Sequence, residues 1–262
     1  MRPVGIVAAL CMTHALACAS PAHAGVVLAN TRVVFPGDAR EVTVRLDNRH
    51  AHPVLVEAWV ERGGQPSRDG PTIVPFAPHP PLVRIDPGKG QALRVHRLPG
   101  PLPSDRETLF WLNVLDVPPD LPVSMHASAM KIALHTRVKL FHRPVGLAGI
   151  ASKAPAALRW SLRDGALHIE NPTPFHVSIA RVVVGDGLDL HGDMVAPFGA
   201  LALRLDAAAP GKAAIDVTMQ QLAARRTTWL QASRRVSFDA INDVGGKDRF
   251  DAALQAFVER AP

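Results

Sequence analysis

Histidine, acidic and cysteine side chains are the groups from which this chain could build a reactive site, and their spacing argues against each chemistry in turn. His50-Ala51-His52 is a pair in a turn, with no further ligand at metal-binding spacing and no H-E-x-x-H segment elsewhere. His126, His135 and His142 fall along a loop and a long strand candidate, where an imidazole more often faces solvent or a partner than a metal. No G-x-S-x-G elbow is present to expose a nucleophilic serine. Gly88-Lys89-Gly90 lacks the upstream glycine and the Ser/Thr of a phosphate loop, so it reads as a turn. Gly185-Asp186-Gly187-Leu188-Asp189, continuing to Asp193, offers oxygen ligands at the wrong spacing for an EF-hand and reads as a hairpin turn. The expectation is a protein that performs no covalent chemistry and needs no cofactor or metal.

The two cysteines, Cys11 and Cys18, lie in a segment built for export. Arg2 supplies a positive start, Val4 to Ala17 an apolar run, and Ala22-His23-Ala24 an A-x-A cleavage site, so residues 1–24 read as a signal peptide and the secreted chain begins at Gly25. The apolar run is interrupted by Thr13 and His14 and is too short to span a bilayer. Cys18 after Ala15-Leu16-Ala17 raises a lipid anchor as an alternative, but a lipidation box prefers a large aliphatic residue where Ala15 stands. No later stretch reads as a membrane span. From Gly25 onward there is no thiol, so any core must hold without disulfides, which about 240 residues can do as one large domain or as two of roughly 100 to 120 each. The formal charge of +6 is scattered and not interleaved with aromatic residues, and tyrosine is absent, which argues against a nucleic-acid partner.

The elements that would position any site are strands. Val42-Thr43-Val44-Arg45-Leu46-Asp47 alternates apolar and polar residues between turn segments at Pro36-Gly37-Asp38 and Asn48-Arg49-His50. Val54 to Val60, Leu82 to Ile85, Ala92 to Val95 and Thr108 to Leu115 repeat the style. Turn signals at short, regular intervals with few helical patterns predict an all-β sandwich architecture. Ser128 to Phe141 is the longest strand candidate: Met130, Ile132, Leu134, Val138 and Leu140 share one face, while Lys131, His135, Arg137 and Lys139 share the other. Alternation alone leaves open whether the apolar set packs the domain's own core or serves a partner. Arg143-Pro144-Val145-Gly146 reads as a hinge, dividing the chain into domains at 25–145 and 146–262. Leu167 to Asn171, Val177 to Val184, Ala200 to Leu205 and Arg235 to Phe238 are strand candidates in the second domain. Ala213 to Ser233 reads as a short helix or an insertion.

Seven blocks in order carry a family resemblance. The first is Thr31 to Asp38 with Val42 to Leu46 and Ala58-Trp59-Val60. Asp86 to Gln91, Asp105 to Val114 and Thr136 to Pro144 complete the first half. Asn171 to Phe175, Met194 to Phe198 and Ile241 to Gly246 supply the second. The chain resembles the PapD-like periplasmic chaperones of the chaperone–usher pathway of pilus assembly. Val244, where the family usually has an aromatic residue, is a mild departure.

The resemblance implies two immunoglobulin-like β-sandwiches set at an angle around a cleft. It implies a periplasmic protein that binds, folds and caps pilus subunits and delivers them to an outer-membrane usher. It also implies site residues. Met130, Ile132 and Leu134 would be the side chains of a strand donated to a subunit, Arg32 and Lys139 would anchor the subunit's C-terminal carboxylate, and Glu107, Arg143 and Asp243 would tie the domains together. An exposed apolar edge makes self-association of the free protein an expected corollary. The competing expectation is a secreted immunoglobulin-like adhesin or pilus structural subunit, although such a protein would usually carry a disulfide.

Overall fold

The structure is a computed structural model that describes residues 25–63, 74–120, 131–163, 166–185, 188–204 and 235–255. The signal segment 1–24, Ser128 to Met130 of the long strand candidate, and the segment from Ala213 to Ser233 lie outside the described residues.

The first half of the chain forms β1 (Val26–Leu28), β2 (Arg32–Pro36), β3 (Glu41–Asn48), β4 (Val54–Glu61), β5 (Phe76–His79), β6 (Leu82–Ile85), β7 (Gly90–Arg97), β8 (Thr108–Val117) and β9 (Leu134–Arg143). They assemble into a four-stranded sheet in the order β1-β3-β7-β5 and a five-stranded sheet in the order β2-β9-β8-β4-β6. Alternation in the sequence becomes the inside and outside of the sandwich. Val44 and Leu46 of β3 face Phe110, Leu112 and Val114 of β8 in one shared core. Phe76 bridges the sheets, meeting Phe35 edge-on at 5.0 Å and Phe110 at 4.9 Å. His142 departs from the solvent- or partner-facing expectation. It is buried beside Phe35 and Phe76, and its Nε2 accepts from Arg97 Nη1 at 3.1 Å. Burial and then the Arg97 charge hold its pKa below the usual histidine value.

A turn through Gly146, at φ +83°, and a 3₁₀ segment (Ala151–Ala157) lead into the second half. Its strands are β10 (Arg159–Arg163), β11 (Ala166–Glu170), β12 (Val177–Val184), β13 (Leu188–His191), β14 (Met194–Val195), β15 (Ala200–Arg204), β16 (Arg235–Ile241) and β17 (Lys247–Gln255). They run in the order β13-β12-β16-β17-β10-β11-β15, with β14 also on β12. A second, separate core gathers Trp160, Leu167, Ile169, Val182 and Phe238. Around the acidic run, β12 and β13 pair antiparallel up to Val184 and Leu188, and Arg181 forks onto Asp189 at 2.9 and 2.6 Å, while Asp186 and Gly187 lie outside the described residues.

The long strand differs from its predicted bounds. β9 starts at Leu134 and ends at Arg143, so Lys131 to Ala133 are not strand and Arg143 belongs to the ladder and not to the hinge. The alternating pattern continues upstream of the pairing because alternation records side-chain chemistry, whereas a strand begins where its partner begins. β8 ends at Val117, and Leu134 is its last partner on β9, opposite Asp116.

Candidate functional site

The site grows from the two sides of β9. Towards β8 it is paired along Leu134 to His142, opposite Asp116 to Thr108. On the other side β2 runs parallel to it only from Lys139 to Arg143, opposite Arg32 to Pro36. Among the described residues, no strand covers Leu134 to Val138 on that edge. The core-facing side chains change character over the same stretch. Leu140 is fully buried and Val138 nearly so, Thr136 is half-buried, and Leu134 and Ile132 are 45% and 58% exposed. One face of one strand thus runs out of its own core just where its backbone edge is free. An apolar, unpaired edge of this kind is a template for another strand. Met130 lies outside the described residues.

Arg32 and Lys139 are register partners at the point where β2 begins to cover β9. Both reach the second domain. Arg32 Nη1 donates to the Ile241 carbonyl at 2.9 Å, and Lys139 Nζ donates to Ser178 Oγ at 3.2 Å. The Arg32 guanidinium lies over the Phe141 ring at 5.9 Å, and its Nε is buried without a hydrogen-bond partner among the described residues. Burial lowers the Arg32 pKa, with the Asp243 and Glu107 charges opposing. Burial also lowers that of Lys139, the Arg32 charge adds to the effect, and Asp193 partly offsets it. Two desolvated cations side by side, one with an unused donor, make a place where an anion is favoured.

Behind the pair, Arg143 joins the two domains. Its Nε donates to Glu107 Oε1 at 2.6 Å, while Nη1 and Nη2 hold both Asp243 oxygens at 2.7 and 2.9 Å. The guanidinium also lies over the Phe175 ring at 5.6 Å. Burial works against its charge, but the bonds and charges of Asp243 and Glu107 outweigh burial and raise its pKa above the usual arginine range. Glu107 spends its second oxygen on the second domain, accepting from the His176 backbone N–H at 2.8 Å. The Asn242 to Gly246 turn that carries Asp243 needs Gly245 at φ +89°, and a Cβ there would strike Thr31 next to Arg32. That glycine lets the turn close against the first domain.

Three participants escaped the sequence. Ser178 stands on β12 in an unremarkable run, and the Ile241 carbonyl is backbone, which no side-chain pattern reveals. His176 directly follows the block Asn171 to Phe175, so its position carried the available signal.

The two sandwiches, with separate cores and a bonded seam between them, define the class of two-domain immunoglobulin-like proteins. Residues 25–148 match the family described as "Pili and flagellar-assembly chaperone, PapD N-terminal domain", and residues 153–252 match "Pili assembly chaperone PapD, C-terminal domain". The chain belongs to this family of periplasmic pilus-assembly chaperones. It is 36% identical over 256 residues to the probable fimbrial chaperone YadV of Escherichia coli K12, covering 94% of this chain and 96% of that protein. It is 34% identical over 257 residues to the chaperone protein FimB/FhaD of Bordetella pertussis, covering 95% and 96%. The crystal structure of the Pseudomonas aeruginosa CupB2 chaperone matches with a TM-score of 0.68 at 34% identity, over 87% of this chain and all of that one (100%). A chain from the structure of the Salmonella enterica SafA pilin in complex with the SafB chaperone matches with a TM-score of 0.69 at 28% identity, over 88% and 96%. These likenesses support the chaperone expectation over the adhesin one.

Proposed function

We propose that this chaperone binds, folds and caps pilus subunits by lending them the free edge of β9, and passes them to an outer-membrane usher. The unpaired stretch from Leu134 to Val138, with Leu134 and Ile132 exposed beside it, carries the reading. A subunit strand laid on that edge gains main-chain hydrogen bonds, and its pockets take alternate side chains, Met130, Ile132 and Leu134. Each side chain contributes about 1.5–3 kcal/mol of burial before ordering costs. At the lower end of the edge Arg32 and Lys139 receive the subunit's C-terminal carboxylate, which relieves the unpartnered Arg32 Nε and the depressed Lys139 pKa together. Glu107, Arg143 and Asp243 hold the two domains at the angle that forms this seat. The chain reaches the periplasm through the leader 1–24, cleaved after Ala24.

The test isolates tagged protein from the periplasm of its native host, comparing wild type with Arg32→Ala and Lys139→Ala. Small chains ending in an alternating apolar pattern should accompany the wild type and be lost from both variants while each stays folded. Undiminished capture by the variants would remove the anchor assignment. N-terminal sequencing of the same material should begin at Gly25.

A further inference from the structure

The free half of β9 poses a mechanical question. Leu134 to Arg137 have one partner strand, no fully buried side chain, and the strand's own end at Leu134. A segment with so few contacts belongs to the part of a fold that opens first. Yet a donated edge works best when already extended, because every residue ordered beforehand reduces the cost of ordering on binding.

The opposite face of the strand supplies the restraint. His135 lies flat on the Trp59 indole of β4, with ring centroids 5.2 Å apart and planes at 24°. Its Nε2 is 2.9 Å from Oδ1 of Asn113 on β8, a residue with no exposed surface. Asn113 donates its own amide to the Trp111 carbonyl, so Oδ1 is left as acceptor and His135 Nε2 carries the hydrogen. Two residues on, Arg137 repeats the arrangement. Its guanidinium stacks on Trp111 of β8 at 4.2 Å and reaches Glu61 of β4 at 2.8 Å. Direct cross-strand neighbours do not explain this, since His135 pairs with Leu115 and Arg137 with Asn113. Both side chains instead cross β8 diagonally to grip β4.

We infer that His135 and Arg137 are positioning residues: two parallel braces that hold the free half of β9 extended from its outer face and leave the edge, Leu134 and Ile132 open to a subunit. The inference deepens the strand-donation reading and rests on it for its purpose, though not for its geometry. Stacking and a polar contact act together in each brace, and the hydrogen bond and ion pair fix its direction.

Amide hydrogen exchange of the free, full-length secreted protein tests it, using wild type, the double variant His135→Ala/Arg137→Ala, and His135→Gln. The double variant should exchange the β8-bonded amides of Leu134 to Val138 roughly tenfold faster, with Leu140 to Arg143 unchanged. His135→Gln keeps a donor for Asn113 and a stem for Trp59, and should stay near wild type. Alongside, a synthetic peptide of about ten alternating valine and threonine residues with a free carboxylate probes the edge. Its association with the double variant should slow by a similar factor. Unchanged exchange at Leu134 to Val138 overturns the braces, as does an equal rise over the whole sandwich, which would mark a general loss of stability. If wild type protects these amides as expected but does not bind the peptide, the donation reading fails and the braces stand as structure alone.

Discussion

Arg32 and Lys139 repel each other across neighbouring strands, and the Asp243, Glu107 and Asp193 charges offset that cost only in part. Lys139 carries it more visibly, because its pKa is held below the usual lysine value by burial and by Arg32. A carboxylate seated between them raises that pKa, so binding takes up protons. Affinity is therefore full while the pH lies below the pKa of the free protein, and weakens as pH rises through it towards the bound value. Subunit affinity measured from about pH 7 to about pH 10 should fall for wild type and stay flat for Lys139→Arg, whose guanidinium does not titrate in that window. Parallel curves would place the titrating group elsewhere. Neither residue was legible from spacing. They are remote in sequence, and the parallel pairing of β2 with β9 makes them neighbours; only the resemblance of the surrounding blocks pointed to them.

Along its length β9 divides into a half that packs its own core and a half that stands exposed on an open edge, the half we propose is lent to a subunit. Leu140→Ala removes a fully buried side chain and should cost about 2–5 kcal/mol of stability by chemical denaturation. Ile132→Ala with Leu134→Ala removes exposed ones, so stability should move by no more than about 0.5 kcal/mol per site. The same pair should weaken subunit capture by at least about tenfold, from the burial lost at the interface. A large stability loss from the exposed pair would mean that they pack their own domain after all. The sequence showed the alternation but not the division, since a period of two is identical on both sides of Val138. β17 went unread for a different reason: Phe250, Ala252 and Leu254 are only partly buried, and Ala252-Ala253-Leu254 blurs the alternation that Arg249 and Asp251 begin. His142 was misread for the opposite reason: a polar residue type marks a surface on average, and this one is enclosed by Phe35, Phe76 and Arg97.

Across the whole molecule, Arg143, Glu107 and Asp243 bond the two sandwiches along one seam. Arg143 is its centre, and its two carboxylates differ: Glu107 is 2% exposed and Asp243 49%. Arg143→Ala leaves the buried Glu107 carboxylate with the His176 N–H but without its cation and should cost about 3 kcal/mol or more, whereas Asp243→Ala should cost under about 1 kcal/mol. Urea unfolding reads both, and equal losses would deny the asymmetry. The two-domain plan was readable because the resemblance spans both halves, and it pointed to Glu107, Arg143 and Asp243; the part of His176 and the closure of Gly245 onto Thr31 became visible only in three dimensions. If a subunit completes itself on the open edge of β9, that edge must change when the subunit binds. Amide exchange of the chaperone, free and bound to the subunit isolated with it, addresses that edge directly. Amides of Leu134 to Val138 that face away from β8 should exchange quickly in the free protein and become protected in the complex. Protection that appears on another sheet edge, such as β6 or β15, with β9 unchanged, would place the subunit elsewhere and rule out donation by β9.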